Sequence, residues 1–514
     1  MPSERVARHA ARLEPGVRRT ALLCAALALL VRLALLASPF GRYDGDAAVS
    51  GLMAQDLLHG RHVWLVWAGQ VYAGTVDVAL QALSIRLLGV GQVAVGLPLA
   101  LLGAATVALL AWTAGRCLHS AGAALGVGLV TSVYPMWMLL WGTAVGGGGY
   151  AVSNLLGLAA LSIALTRRPL GLVGAACVGG LSGLAVYNQP LAASQVAVAA
   201  VVALAYAGRR ALVLAPVLLV SALPGLAVWA LGLRDGTDRS SGPLGDRLTV
   251  HDVLDPGLLE ARARALHGVI GDKALGLVAG DGPPLLPVPA VRVVVATVAV
   301  GVVVALVACA ARRTGPLVPA LLAALVLSGV LFVLFPLSLD TALPEVNAGV
   351  PRPLGVPRYV YPGMWALSAL AGLLVWALVR RPGLARRAAG GVLALALAGS
   401  SVQSARALLE PGAYARSRPS TQQLQAFARD LRAAGVSCVV AGYWDVYPLV
   451  LASDDALRGE STFVNRMGVT CGAGPGVAQL FVRRAGVTPQ EAAYARGRPG
   501  ARTLPGPGLV AYLL

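Results

Sequence analysis

Long apolar runs separated by short polar breaks set the pattern of this chain. The first fills residues 21–40, and others occupy 92–115, 120–141, 150–166, 170–187, 191–208, 211–233, 290–311, 316–337, 359–379 and 388–402. Each is close to the ~20 residues that a helix needs to cross the hydrocarbon core of a bilayer, so the pattern predicts about eleven transmembrane helices. Between the runs lie a first loop at 41–91, a glycine-rich turn at 141–150, a loop of mixed charge at 234–289, a Pro-rich loop at 338–358 and a polar tail from 403.

Two pieces of the first loop are periodic without being apolar enough to span. From Asp46 to His59, Val49, Met53 and Leu57 share one helical face, and Asp46 stands where an N-cap belongs. From Thr75 to Leu88, Val76, Leu80, Leu83 and Leu87 form one stripe and Asp77, Gln81 and Ser84 another. Both pieces predict helices lying in the plane of the membrane interface. In the tail, Ser420 or Thr421 as a cap, the stripe Leu424, Phe427 and Leu431, and the stop at Gly435 predict a helix. VSCVVAGY, VAQLFVRR and GLVAYLL read as strands and TPQEAAYARG as a helix. The chain therefore divides into a membrane part, residues 1–402, and a small α/β domain, residues 403–514.

Composition agrees with this division. Of 514 residues, 57% are hydrophobic and 12% charged, and the mean hydropathy is +0.73, values that exclude an ordinary soluble globular protein. The excess of 41 Lys and Arg over 23 Asp and Glu does not indicate nucleic acid, because the basic residues stand in ones and twos between apolar runs. It reports orientation instead. Arg5, Arg8, Arg12, Arg18 and Arg19 precede the first run, which lacks a small-residue cleavage site and reads as a retained signal anchor with a cytoplasmic amino terminus. Counting spans from there, Arg116, Arg167, Arg209, Arg312, Arg380 and Arg386 all fall on the cytoplasmic side. The first loop and the C-terminal domain then face outward, across a plasma or inner membrane.

Asp44 and Asp46 stand just after the first run, at a membrane surface where a carboxylate is costly unless wetted or paired. Helix capping by Asp46 and a Tyr-Asp-Gly-Asp turn at Asp44 are the bland readings. His59 and His62 have no metal-ligand spacing, and Trp64 and Trp67 read as an interfacial aromatic belt. Cys24, Cys117, Cys177 and Cys309 lie in or beside apolar runs. Cys438 and Cys471 alone share the polar tail, where a disulfide between them is open.

Taken together, the carboxylate after the first span, the helical segment behind it, then Gly69, Gln70, Tyr72 and Gly74 and a second amphipathic piece resemble the GT-C membrane glycosyltransferases. The branch that they resemble is that of the protein O-mannosyltransferases and bacterial aminoarabinose transferases, glycosyltransferase family 39 and relatives. GGGGY at 146–150, GLAVYNQPLA at 183–192 and PRYVYP at 357–362 agree with it, as does the tail segment AAGVSCVVAGYWDVYPLVLASDD at 433–455. Two departures stand out: Ala47 follows Asp46 where the family commonly has Glu, and the first loop lacks a Lys/Arg-Pro-Pro element.

The resemblance implies an all-α polytopic GT-C protein that moves a sugar from a polyprenyl-phosphate donor to a hydroxyl of a glycan, lipid or protein acceptor. Asp46 would serve as general base, with inversion at the anomeric carbon. Asp44, Gln70, Tyr72, Arg352, Arg358 and Tyr359 are the substrate-binding candidates. Of these, the arginines suit a phosphate because their planar fork donates two parallel hydrogen bonds. No cofactor is firmly implied; a divalent cation shared by Asp44 and Asp46 is left open, two carboxylates being a thin oxygen set. The rival classes are a lipid-linked glycan polymerase or ligase, and a polytopic transporter or flippase. A transporter would place ionisable residues at mid-membrane, whereas these runs carry little charge apart from Arg32.

Overall fold

The computed structural model describes residues 3–69, 73–143, 149–167, 169–237, 256–268, 316–334, 360–408, 418–462, 467–472, 476–482, 487–498 and 501–513. The chain opens with α1 (Ser3–Ala37), α2 (Gly45–Leu58), α3 (Val76–Leu88) and α4 (Gln92–Leu118). Then come α5 (Ala121–Val133), α6 (Met136–Trp141), α7 (Tyr150–Thr166), α8 (Leu172–Asn188), α9 (Ala193–Ala205) and α10 (Ala211–Thr237). After α11 (Pro256–Gly268), α12 (Leu317–Leu334), α13 (Tyr361–Arg380) and α14 (Leu384–Leu408) complete the helical part. α14 runs through residue 402, where the apolar pattern ends.

Among the described residues five helices are long and apolar enough to cross a membrane: Glu14–Ala37, Gln92–Leu118, Gly208–Gly232, Leu317–Leu334 and Tyr361–Arg380. Four shorter apolar helices accompany them. The expected run at 290–311 lies outside the described residues, so the count of about eleven is not reached here. The run at 120–141 is not one helix but two, because Pro135 lacks an N–H and drives Tyr134 into extended backbone, φ −136° and ψ 144°. The loop at 234–289 contains a helix, α11, that no apolar periodicity announced.

What the helices expose fits a lipid surround. Leu212, Leu219 and Leu223 on α10 are more than half exposed, a face that water would disfavour and acyl chains accept. Inside, α1 packs on α4, α7 on α8, α5 on α13 and α8 on α10. The expected stripes of α3 are observed, with the polar one turned inward: Asp77, Gln81 and Ser84 are buried while Leu80, Leu83 and Leu87 are exposed. An interfacial helix offers its apolar face to lipid in this way.

The tail folds as the periodicity predicts, with additions. It comprises α15 (Thr421–Ala433), β1 (Cys438–Ala441), α16 (Tyr443–Ala452), β2 (Arg458–Ser461), β3 (Val477–Val482), α17 (Pro489–Arg496), β4 (Thr503–Gly506) and β5 (Leu509–Leu513). The sheet order is β2-β1-β3-β5-β4; β1 runs parallel to β2 and β3, and β5 antiparallel to β3 and β4. Ser420 caps α15 in a reciprocal box with Gln423, and Leu424, Phe427 and Leu431 are its buried stripe. β2, β4 and α16 had no alternation or cap strong enough to read.

Cys438 on β1 and Cys471 form a disulfide with a sequence separation of 33. Closing a loop of that length restricts the unfolded chain by about 3–4 kcal/mol. Reduction, or Cys438→Ser, is accordingly expected to lower the unfolding temperature of the C-terminal unit by several degrees in a thermal melt followed with and without reductant.

Candidate active site

The chain leaves α1 through a 3-10 turn at Pro39–Gly41 and enters α2 at once. Asp44, not Asp46, is the N-cap: its Oδ1 accepts from the Ala47 amide at 2.8 Å. The cap lies two residues earlier than periodicity placed it, because the cap residue takes extended backbone, φ −101° and ψ 177°, and Asp46 is already helical. Asp46 is thus released from the capping role. It sits in the first turn of α2, 5% exposed, and its Oδ1 accepts from the Tyr443 hydroxyl at 2.6 Å. A helix N-terminus favours negative charge, so the backbone supports both carboxylates.

Tyr443 belongs to α16, and α16 lies against α2. Gly45 makes this approach possible: a Cβ there would overlap the Tyr443 ring and crowd Trp444. The same seam is held farther along by Gln55 Nε2 to Asp454 Oδ1 at 2.9 Å and by the forked Arg61 to Asp455 pair at 2.9 and 3.0 Å. His59 Nδ1 lies 3.1 Å from Asp455, which makes it part of this seam. Arg42 and Arg418 exchange hydrogen bonds with each other's carbonyls at 2.7 and 2.8 Å.

Behind α2, the loop is fixed by the carboxyl end of α8. The Gly74 amide donates to the Asn188 carbonyl at 3.0 Å and the Val76 amide to Asn188 Oδ1 at 3.3 Å. The Tyr187 hydroxyl donates to the Leu65 carbonyl at 2.8 Å. Trp67 corrects an expectation. It is not in an aromatic belt but wholly buried, its Nε1 donating to Ser50 Oγ at 2.8 Å, because the loop folds back over α2.

Asp77, at the start of α3, was not among the candidates yet is buried in the same neighbourhood. Its Oδ2 accepts from the Gly149 amide at 3.1 Å, tying the glycine-rich turn to the first loop. Burial pushes its carboxyl up to about 6, against the opposing pull of the Gly149 and Val78 amides. Because the folded protein then holds this proton to higher pH than an unfolded carboxylate of about 3.9, folding binds protons between about pH 4 and 6 and stability falls as pH rises through that window. The loss is at most about 3 kcal/mol. Asp77→Asn is expected to flatten this slope when melts are compared at pH 4, 5 and 7.

The remaining candidates, Gln70, Tyr72, Arg352, Arg358 and Tyr359, lie outside the described residues. Among the described residues no group of three or more His, Cys, Asp or Glu could hold a metal ion. Asp44 Oδ1 is engaged by its own helix and Asp46 Oδ1 by Tyr443, and no step is routed through a metal. Arg32, the charge noted within the first run, is buried with Nη1 donating to Ala28 O at 3.1 Å and its guanidinium 5.9 Å from the Trp365 ring centre.

The fold so described, a bundle of membrane helices with interfacial helices after the first span and a small sheet-containing C-terminal unit, is the GT-C fold. Among solved structures it is similar to ArnT from Cupriavidus metallidurans bound to undecaprenyl phosphate, at TM-score 0.59 and 13% identity over 95% of this chain and 97% of that one. The apo state of the same protein superimposes at TM-score 0.53 and 12% identity, over 94% of this chain and 97% of that one. No family model matches the sequence, and no curated protein matches it.

Proposed function

We propose that the protein is a multi-pass membrane glycosyltransferase that moves a sugar from a polyprenyl-phosphate donor to an acceptor hydroxyl on the extracytoplasmic face. The observation that carries this reading is Asp46: a carboxylate in the first turn of the helix that directly follows the first span, held by a tyrosine rather than spent on capping. Support comes from the fold, shared along nearly the whole length with ArnT, a protein solved with undecaprenyl phosphate bound. The branch of protein O-mannosyltransferases and aminoarabinose transferases is our finer assignment, resting on the motif resemblance around Asp46, Tyr150 and Tyr361.

In this reading the acceptor hydroxyl gives its proton to Asp46 as its oxygen attacks the anomeric carbon, and the polyprenyl phosphate leaves from the opposite face, inverting that centre. Arg352 and Arg358 would neutralise the leaving phosphate, with Tyr359, Gln70 and Tyr72 as further candidate contacts to the substrate. The amino terminus is cytoplasmic and the C-terminal unit outside, with residues 1–402 and 403–514 as the two domains. The test is incubation of membranes carrying wild type or Asp46→Asn with a panel of polyprenyl-phosphate sugars and with glycan, lipid and peptide acceptors. Transfer by wild type that Asp46→Asn abolishes supports the assignment; equal transfer by both removes Asp46 as base.

A further inference from the structure

The hydrogen bond between Tyr443 and Asp46 joins residues 397 positions apart, and it joins two parts of the protein that the sequence reads as separate domains. Its donor end is immobilised. The Tyr443 ring is 4% exposed and packs edge-on against Trp444, with centroids 4.8 Å apart, and against Tyr447 at 5.2 Å. Gly45, one residue before Asp46, supplies the space into which that ring fits. Tyr443 opens α16 directly after β1, at the carboxyl end of a parallel strand, the edge at which α/β sheets present functional groups.

We propose that Tyr443 is a positioning residue of the active site, its hydroxyl fixing the Asp46 carboxylate for the acceptor, so that the C-terminal domain is a working wall of the catalytic centre. This deepens the proposed function and rests on Asp46 being the base. An aspartate side chain at the rim of a helix has several rotamers, and a displacement of about 1 Å at a reacting group costs about 10²-fold in rate. A donor whose own rotamer is locked by packing removes that freedom. One carboxylate oxygen is engaged by the tyrosine, and the acceptor's proton passes to a carboxylate held in one orientation. The bonds from Gln55 and Arg61 hold the same seam together but touch neither Asp46 nor Tyr443, and so they provide a control for docking alone.

The test uses the full-length protein in native membranes and compares Tyr443→Phe, which keeps the ring, with Gln55→Leu, which weakens the same interface elsewhere. Modification of Asp46 by dicyclohexylcarbodiimide, read by mass spectrometry, is expected to run about tenfold faster in Tyr443→Phe and at the wild-type rate in Gln55→Leu. Turnover of whichever polyprenyl-phosphate sugar the wild type uses is expected to fall about tenfold in kcat for Tyr443→Phe, as for other supporting residues behind a reactive group, with KM for the donor unchanged. Wild-type labelling in Tyr443→Phe, equal acceleration in both variants, or faster turnover in Tyr443→Phe would each overturn the proposal. Retained transfer by Asp46→Asn is a different failure: it removes the base assignment, while the labelling comparison still reads whether Tyr443 holds Asp46.

Discussion

Asp46→Asn is expected to lower transfer by about 10²–10⁴-fold, the range that removal of a positioned general base produces. The substitution is close to isosteric, and its amide oxygen can still accept from the Tyr443 hydroxyl, so the seam between α2 and α16 should survive. Thermal unfolding should therefore stay near wild type. Asp44 supplies the contrast. Its carboxylate caps α2, and asparagine caps about as well as aspartate, so Asp44→Asn should be nearly silent while Asp44→Ala costs about 1 kcal/mol of stability. A loss of transfer in Asp44→Asn matching that in Asp46→Asn would mean that the roles of the two carboxylates have been wrongly divided.

That division was only half legible in the sequence. Composition and the spacing of apolar runs define a polytopic helical protein, and α3 follows from its stripe of Leu80, Leu83 and Leu87, whereas α2 is buried on every face from Gly45 to Gln55. A cap, however, depends on backbone φ and ψ at one residue, and Asp44 and Asp46 are both good cap residues two positions apart; periodicity does not separate them. The tail helix α15 was readable because Ser420, Gln423 and Gly435 mark both of its ends. By contrast α16 contains Pro448, is apolar apart from Asp445 and has no side-chain cap, so neither a stripe nor a cap betrays it. Tyr443 is invisible for a stronger reason: the partner it chooses is set by how two separately patterned units dock, and nothing within a window of either segment encodes that. Asp77 had a weak signal, a carboxylate among the inward stripe of an interfacial helix, which invites a buried partner. The Gly149 amide is that partner.

The helix pair α8 and α10 governs whether this arrangement forms at all, and Gly183 is where it is most exposed to change. In lipid there is little hydrophobic drive between helices, so close backbone approach at small residues supplies the packing. A Cβ at Gly183 would overlap the Ala222 carbonyl, and one at Gly225 would overlap the Gly183 backbone; both obstacles are main chain and cannot rotate away. Gly183→Leu should therefore cost about 4 kcal/mol or more, in the class of severe overpacking, and leave little folded protein in the membrane fraction. Even Gly183→Ala should destabilise, because the first added carbon already meets backbone. Gly180 is on the same helix, where a Cβ would lie 3.7 Å from the Ser221 carbonyl, an ordinary contact. There Gly180→Ala should be neutral or should stabilise by up to about 1 kcal/mol, since alanine favours the helix. The damage at Gly183 would reach the site as well. Tyr187 and Asn188 lie about one turn farther along α8 and hold the loop behind α2, so a splayed α8 carries the carbonyl and amide of Asn188 away from Gly74 and Val76. Melting curves for the two alanine variants in detergent decide the matter, and equal midpoints for Gly183→Ala and Gly180→Ala would show that the helices do not approach as closely as described.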